Sequence, residues 1–379
     1  MSSGFYEKLA KTRHYIHAHP EVSEQEFETT AFLKSYLADL GIETLNYPLK
    51  TGLIAEIGSG SPIIALRADI DALPIREKTG LDYASTNGAM HACGHDFHQT
   101  SLLGAAELLK NWEDELQGTV RLIFQPAEEN FQGGYQVIEA GGLEGGSAIV
   151  GYHNYTHLKP GQLGLKSGAI MAGVEQFEVT VQGVSSHAAR PDLGVDTVLT
   201  VTTIVNNLQA IVAQTVSPFE SAVLSVTHID VGTTWNVLPA KGFFEGTIRT
   251  FDPQVRLDVI DKFERVVRTT AEQFGADVTI KWGNSPSVTF NDKIITPIIF
   301  ENSKSFAEVV GTLPSTGGED FAAFQEQIPG VFAFVGSNGD EGAPDWHHDD
   351  FVVKDEALPV AVNYFVESAL KLLEYYGEK

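Results

Sequence analysis

The sequence lacks the features that mark secreted, membrane-bound and nucleic-acid-binding proteins. One cysteine in 379 residues excludes an intramolecular disulfide framework and fits a reducing cytoplasm. No apolar run approaches the roughly 18 residues of a membrane span. The opening segment MSSGFYEKL has no signal-peptide core. We therefore expect a soluble, cytoplasmic protein.

Basic residues are also scarce. Lysine and arginine total 25 against 50 acidic residues, so the formal net charge at pH 7 is −25. A surface this acidic repels nucleic-acid phosphates and anionic lipids, so we expect neither nucleic acid nor membrane as a partner. Hydrophobic residues, at 43%, are ordinary for a globular protein, and the length allows two domains.

The two ends of the chain show helices and strands in alternation. A capping-box pattern, Ser23 with Glu26, predicts the start of a helix that Gly41 ends. Short apolar runs at residues 63–66, 120–124, 148–150 and 331–335 predict buried strands, and residues 99–112 predict a crossover helix. This pattern is typical of an α/β fold with a mainly parallel central sheet.

The middle of the chain has a different order. Strands are predicted at residues 176–181, 222–229, 242–251 and 276–282, and helices at 197–214 and 253–274. The resulting order, β-α-β-β-α-β, is typical of a ferredoxin-like α+β unit. Because α/β patterns flank it, we predict an inserted domain at residues 174–284, and another domain formed by residues 1–173 and 285–379.

Potential metal ligands follow three of the predicted strands. Asp69 and Asp71 come after the first strand, Glu128 and Glu129 after the second, and His153 after the third. In open α/β sheets, sites form outside the carboxyl ends of the strands. The three segments are therefore predicted to converge on one cleft.

The one cysteine lies in a further cluster, the segment HACGHD at residues 91–96. Cys93 and His95 are close enough for one loop to direct both at a metal centre, and a thiolate can bridge two divalent ions. A buried structural cysteine beside surface histidines is the alternative. The other ligand types at neighbouring strand ends favour the metal site.

Two further motifs are less specific. Successive side chains alternate in extended chain, so Glu128 and Glu129 should point in opposite directions, and one could bind metal while the other takes a proton from water; a solvated acidic loop is the alternative. The segment WHHDDF adds His347 and His348, although paired histidines on a surface loop often bind nothing.

Taken together, these segments resemble the family of aminoacylases, hippurate hydrolases and metallo-carboxypeptidases, which are two-metal amidohydrolases. The matching motifs cover nearly the whole chain in order: HAHPE, RADIDALP, MHACGHD, QPAEE, GYH, SSHAARP, NVLP, GTIRTF, GGEDF and WHHDDF. The cysteine in CGHD is similar to that of the subfamily with hippurate hydrolases, auxin-conjugate amidohydrolases and N-acetyldiaminopimelate deacetylases. Other relatives have aspartate there.

The resemblance implies two divalent metal ions per subunit, Zn²⁺ or Mn²⁺, with Co²⁺ or Ni²⁺ as further candidates. It implies one bridging ligand, Cys93, among the five metal ligands Cys93, His95, Glu129, His153 and His347. His347 is preferred to His348 because the family's ligand lies four residues before the phenylalanine, here Phe351.

The resemblance also implies roles for side chains that bind no metal. Glu128 would be the general base, and Asp71 would orient a ligand. The substrate's carbonyl and carboxylate would contact three residues of the inserted domain, His187, Asn236 and Arg249.

The fold implied by the resemblance is a zinc-peptidase-like catalytic domain with an inserted dimerisation or lid domain, in a homodimer or a dimer of dimers. The implied reaction splits an N-acyl amino acid, N-acetyl or N-benzoyl for example, into a carboxylic acid and an amino acid. A metallo-carboxypeptidase or dipeptidase and a non-catalytic metal-containing binding protein are the alternatives. Departures from the family pattern, GYHN, PAEEN and Asp192, lie where substrate preference would be set.

Overall fold

The computed structural model describes residues 3–378, which fold into two compact units. The first unit comprises the residues up to Ile170, Thr289–Leu313, and the residues from Asp320 onward. The second comprises Met171–Val288 and Pro314–Glu319. The sequence did not indicate that the short segment Pro314–Glu319 accompanies the second unit.

The secondary structure alternates in the first unit and forms a separate pattern in the second. The helices are α1 (Ser3–Ala18), α2 (Phe27–Asp39), α3 (His95–Lys110), α4 (Gly133–Glu139), α5 (Thr197–Thr215), α6 (Pro253–Phe274), α7 (Ile295–Ser303), α8 (Phe321–Gln325) and α9 (Leu358–Gly377). The strands are β1 (Thr44–Leu45), β2 (Leu53–Gly58), β3 (Ile63–Asp69), β4 (Thr119–Gln125), β5 (Gly146–Tyr155), β6 (Gln162–Gly164), β7 (Gly168–Met171), β8 (Gly173–Gln182), β9 (Ser186–His187), β10 (Ala222–Val231), β11 (Val237–Leu238), β12 (Lys241–Thr250), β13 (Asp277–Trp282), β14 (Thr289–Asn291), β15 (Glu308–Val310) and β16 (Gly330–Gly336).

The first unit is built on an eight-stranded sheet in the order β1-β2-β4-β3-β5-β16-β6-β15. Strands β4, β3, β5 and β16 run parallel to one another, and antiparallel pairs lie towards both edges. Every residue of β4 and β16 is buried, which explains why these strands appear in the sequence as unbroken apolar runs. The predicted α/β fold with a mainly parallel sheet is confirmed.

Two local predictions in this unit were wrong. Helix α2 begins at Phe27, but Glu26 makes no side-chain capping bond. Ser23 Oγ instead donates to Asp71 Oδ2 at 2.7 Å, so a tertiary contact replaces the predicted capping box. Helix α3 begins at His95 rather than near residue 99, which places His95 in its first turn.

The second unit contains a four-stranded antiparallel sheet in the order β10-β12-β8-β13. Together with α5 and α6, the chain order is β-α-β-β-α-β, as in ferredoxin-like units. One core joins the sheet to both helices, with Phe177 and Phe244 from strands and Ile204 and Phe263 from helices. Within residues 3–378, no helix combines the length and the apolar character that a membrane crossing needs.

Candidate metal centre

Five side chains with metal-binding atoms meet at the carboxyl end of the parallel strands in the first unit. Cys93 and His95 lie on either side of Gly94, which precedes α3. Glu129 follows β4, His153 lies within β5, and the last, His347, comes from the loop after β16. His153 was predicted to follow its strand, but β5 continues to Tyr155 because it stays paired with β16.

These side chains form two groups of three that share Cys93. Cys93, His95 and His153 form the first triad, and Cys93, Glu129 and His347 form the second; in each, the ligand atoms lie within 4.8 Å of one another. Cys93 Sγ lies 3.3 Å from His153 Nε2 and 3.5 Å from His347 Nε2. His347 Nε2 lies 3.4 Å from Glu129 Oε2. His347 and the neighbouring His348 are both exposed, but only His347 belongs to a triad.

Two of the ligand atoms, His95 Nε2 and Glu129 Oε1, are buried without a hydrogen-bond partner. They lie 3.8 Å apart. A buried polar atom left unpaired costs about 1–3 kcal/mol. An imidazole nitrogen, a carboxylate oxygen and a thiolate are all ligands of zinc and related ions, so the residues present fit a metal centre.

The orientation of His95 is fixed by Asp71. His95 Nδ1 lies 3.0 Å from the Asp71 carbonyl oxygen and 3.1 Å from Asp71 Oδ1, so Nδ1 carries a proton and Nε2 is the nitrogen directed towards the other candidate ligands. Asp71 Oδ2 accepts hydrogen bonds from Ser23 Oγ and from the backbone N–H of Glu129. The Asp71 carboxylate, in the loop after β3, therefore bonds both to the start of α3 and to the loop after β4.

The electrostatic field of the site is strongly negative. Burial works to lower the pKa of His95, but the carboxylates of Asp69, Asp71 and Glu129 raise it to about 10. Burial raises the pKa of Glu129 to about 7, and burial together with Glu129, Glu128 and Asp69 raises that of the Cys93 thiol. A field that draws a proton to an imidazole also attracts a divalent cation, which would in turn favour the thiolate.

The two adjacent glutamates both face His95. Glu128 Oε2 lies 4.0 Å and Glu129 Oε1 3.8 Å from His95 Nε2. The prediction that the two side chains point in opposite directions was wrong. The segment is a turn rather than extended chain, and Ala127, with φ of +53°, bends the backbone just before it.

Sequence reasoning missed two buried residues beside the ligands. His98 Nδ1 lies 2.6 Å from Asp69 Oδ1, and Asn154 Nδ2 donates to the Cys93 carbonyl oxygen at 2.6 Å. The segment CGHDFH carries a signal for His98, which follows His95 by one helical turn. Nothing local to Asn154 indicates its role.

The three predicted substrate contacts lie in the second unit. His187 on β9 pairs with Val237 on β11, and the N–H of Ala188 donates to the Asn236 carbonyl oxygen at 3.1 Å, so His187 and Asn236 are neighbours. Arg249 on β12 is partly buried, and its Nε donates to the Thr316 carbonyl oxygen at 3.2 Å.

Comparisons with known proteins identify the family. The profile of Peptidase family M20/M25/M40 matches residues 65–371. An N-acetyl-L-cysteine deacetylase of Bacillus subtilis (strain 168) is 46% identical over 371 residues, 97% of this chain and 88% of that protein. An N-acyl-L-amino acid amidohydrolase of Geobacillus stearothermophilus is 38% identical over 286 residues, 74% of this chain and 77% of that protein.

A solved structure is similar over the whole length. It is a Bacillus subtilis protein described as a dinuclear metal-binding peptidase of the M20 family, with a TM-score of 0.87 and 42% identity. The match covers 98% of this chain and 99% of that chain. The chain therefore belongs to Peptidase family M20/M25/M40 and is a hydrolase that acts on amide bonds.

Proposed function

We propose that the protein is a two-metal amidohydrolase that cleaves an N-acyl amino acid to a carboxylic acid and a free amino acid. The observation that carries the proposal is the pair of ligand triads sharing Cys93, with His95 Nε2 and Glu129 Oε1 buried without a hydrogen-bond partner. The acyl amino acid class is supported by the relatives described as deacetylase and amidohydrolase.

Each triad would hold one ion. Cys93, His95 and His153 would bind the first, and Cys93, Glu129 and His347 the second. The thiolate and three imidazoles suit Zn²⁺. When bound, such a pair of ions polarises the amide carbonyl and lowers the pKa of water.

We assign the movement of protons to Glu128. Its side chain is buried and lies 4.0 Å from His95 Nε2, but it belongs to neither triad. As water attacks the carbonyl carbon, Glu128 takes a proton from that water and delivers it to the leaving nitrogen. The C–N bond breaks, and the carboxylic acid and the amine are released.

The substrate contacts are proposed to be His187, Asn236 and Arg249. Arg249 presents a planar fork that suits a terminal carboxylate, and among the described residues it has no carboxylate partner of its own. His187 is exposed and next to Asn236, so both can offer hydrogen bonds to a carbonyl oxygen.

The test combines metal content with a substrate panel. Protein purified without chelator and then saturated with Zn²⁺, Mn²⁺ or Co²⁺ should hold two ions per chain and hydrolyse N-acetyl or N-benzoyl amino acids. Dipeptides should be slower substrates. A preference for dipeptides would favour the carboxypeptidase or dipeptidase alternative. A metal content of zero, with no hydrolysis on adding metal, would contradict the proposal.

A further inference from the structure

A buried polar chain runs behind the metal ligands, within the first unit. Arg67 donates from Nη2 to Asp320 Oδ1 at 2.8 Å and from Nη1 to Asp69 Oδ2 at 2.7 Å. Asp69 Oδ1 lies 2.6 Å from His98 Nδ1. On the other side of the ring, His98 Nε2 lies 2.9 Å from the backbone N of Asn154 and 3.0 Å from its Nδ2. All five residues are buried.

The neighbours of His98 decide where its proton lies. Arg67 is permanently charged, so the Asp69 carboxylate beside it stays ionised and can only accept. His98 Nδ1 must therefore carry the proton. The backbone N–H of Asn154 can only donate, so His98 Nε2 must accept.

This assignment removes His98 from the candidate metal ligands. Asp69, His95 and His98 have ligand atoms within 4.8 Å of one another, which on distance alone would suit an ion. Both nitrogens of His98 are already engaged, one as donor and one as acceptor. The ring is a link between Asp69 and Asn154.

Asn154 bonds to His98 and also to two residues of the first triad, Cys93 and His153. Its Nδ2 donates to the Cys93 carbonyl oxygen at 2.6 Å. This bond fixes the backbone of residues 91–94, here called the cysteine loop. Its own carbonyl oxygen accepts from His153 Nδ1 at 2.8 Å, which leaves the lone pair of His153 Nε2 facing Cys93 Sγ. A Cβ at Gly94 would lie 2.3 Å from Asn154 Nδ2, so the cysteine loop packs directly on Asn154.

We propose that Asp69, His98 and Asn154 are positioning residues that hold Cys93 and His153 in their metal-binding geometry. This inference deepens the proposed function and rests on it. Residues that orient metal ligands typically change metal affinity by about 10–100-fold. The effect of Asp69, His98 and Asn154 should therefore be measurable as a change in metal affinity, without any measurement of catalysis.

Two substitutions of His98 separate its two hydrogen bonds. His98→Gln can place an amide oxygen where Nε2 was and still accept from Asn154. His98→Asn keeps a donor near Asp69 but is too short to reach Asn154. The stripped enzyme is titrated with Co²⁺ against a competing chelator, and thiolate-to-cobalt charge-transfer absorption reports binding at Cys93. We expect His98→Asn to lose about 10–100-fold in Co²⁺ affinity and His98→Gln to lose much less.

Asn154→Ala and Asn291→Ala provide a matched control. Asn291 is equally buried, but it bonds to backbone groups of Lys166 and Phe332, away from the ligands. Both substitutions should lower thermal stability, and only Asn154→Ala should weaken Co²⁺ binding. The positioning role would be overturned if His98→Asn and His98→Gln had equal Co²⁺ affinities and Asn154→Ala and Asn291→Ala also had equal Co²⁺ affinities. Absence of Co²⁺ binding by the wild-type protein would instead overturn the proposed function, and this inference with it.

Discussion

At the scale of single residues, Glu128 and Glu129 show how position separates the roles of two identical side chains. Both carboxylates lie within about 4 Å of His95 Nε2. Of the two, Glu129 alone forms a triad with Cys93 and His347, in which the ligand atoms lie within 4.8 Å of one another, so we propose it as the ligand. Glu128 lies beside the ligand atoms without belonging to that triad, so we propose it as the general base.

Glu128→Gln should lower kcat by about 10²–10⁴-fold, because an amide cannot take a proton from water. Its metal content should match that of the wild-type protein, since Glu128 belongs to neither of the two triads that share Cys93. Glu129→Gln is the matched control and should weaken metal binding as well as turnover. Kinetics with metal analysis of both variants test this. Near wild-type turnover in Glu128→Gln would show that another group is the base.

Arg249 gives a second prediction at this scale. If it binds the substrate's carboxylate, converting that group to a primary amide should sharply reduce turnover by the wild-type enzyme. Arg249→Ala should then lose activity on the acid but little more on the amide, because the interacting pair is already broken. A charge-assisted bond is worth roughly 1.5–3 kcal/mol, or about 10–150-fold in kcat/KM. Equal losses on both substrates would assign Arg249 a structural role.

At the scale of elements, helix α1 holds the start of α3. Arg13 Nη1 donates to Asp96 Oδ2 at 2.9 Å, and His17 Nδ1 lies 3.0 Å from the same oxygen. His17 Nε2 lies 3.1 Å from Glu77 Oε1. Because Asp96 follows His95 directly in α3, these contacts also anchor the turn that carries a proposed ligand.

The contact of His17 predicts a pH-dependent stability. Burial works to lower the pKa of His17, but Asp96 and Glu77 raise it from 6.5 to about 9. A raised folded pKa contributes stability that is complete below the unfolded value and is lost as pH rises through the folded value. The free energy of unfolding should therefore fall between pH 6.5 and about 9, by roughly 3–4 kcal/mol at most from this group.

Urea unfolding of metal-free protein across this pH range is the measurement. His17→Asn should flatten the pH dependence and lower stability mainly at the acidic end. His19→Asn is the control against which His17→Asn is compared, because His19 lies just after α1, is exposed and bonds to the Tyr15 carbonyl oxygen. If the free energy of unfolding of His17→Asn depended on pH as steeply as that of the wild type, the raised pKa of His17 would be contradicted.

The elements that the sequence predicts well are those with strong local patterns. Strands β4 and β16 are continuous apolar runs because both faces are buried. The sequence-based predictions fail where contacts between residues distant in sequence determine the conformation. Ser23 bonds to Asp71 rather than capping α2, and His98 bonds to Asn154, 56 residues away in sequence. Local sequence patterns do not indicate such distant pairs. The proposed ligands could be predicted from motifs, whereas the contacts among Asp69, His98 and Asn154 could be found only in the folded structure.

At the scale of the whole molecule, the second unit has one helix without charge on a highly acidic chain. Helix α5 has no charged residue over its 19 positions, although the chain carries a net charge of −25. Leu199 on this helix is 50% exposed. Strand β10 lies at an edge of its sheet, with Val223 and Ile229 also exposed. Exposed edge strands and apolar patches are features of surfaces that pair with another chain.

We therefore propose that α5 and β10 form the interface of a homodimer. In a two-fold interface, each copy contributes the same surface, so one substitution introduces two like charges close to each other. Leu199→Glu should shift the protein to monomers, because burying unpaired carboxylates costs several kcal/mol. Leu257→Glu is the matched control, since Leu257 on α6 is 55% exposed in the same unit and outside the proposed interface. Sedimentation equilibrium at micromolar concentration should find dimers for the wild type and Leu257→Glu; a monomeric wild type, or equal behaviour of the two variants, would contradict this interface.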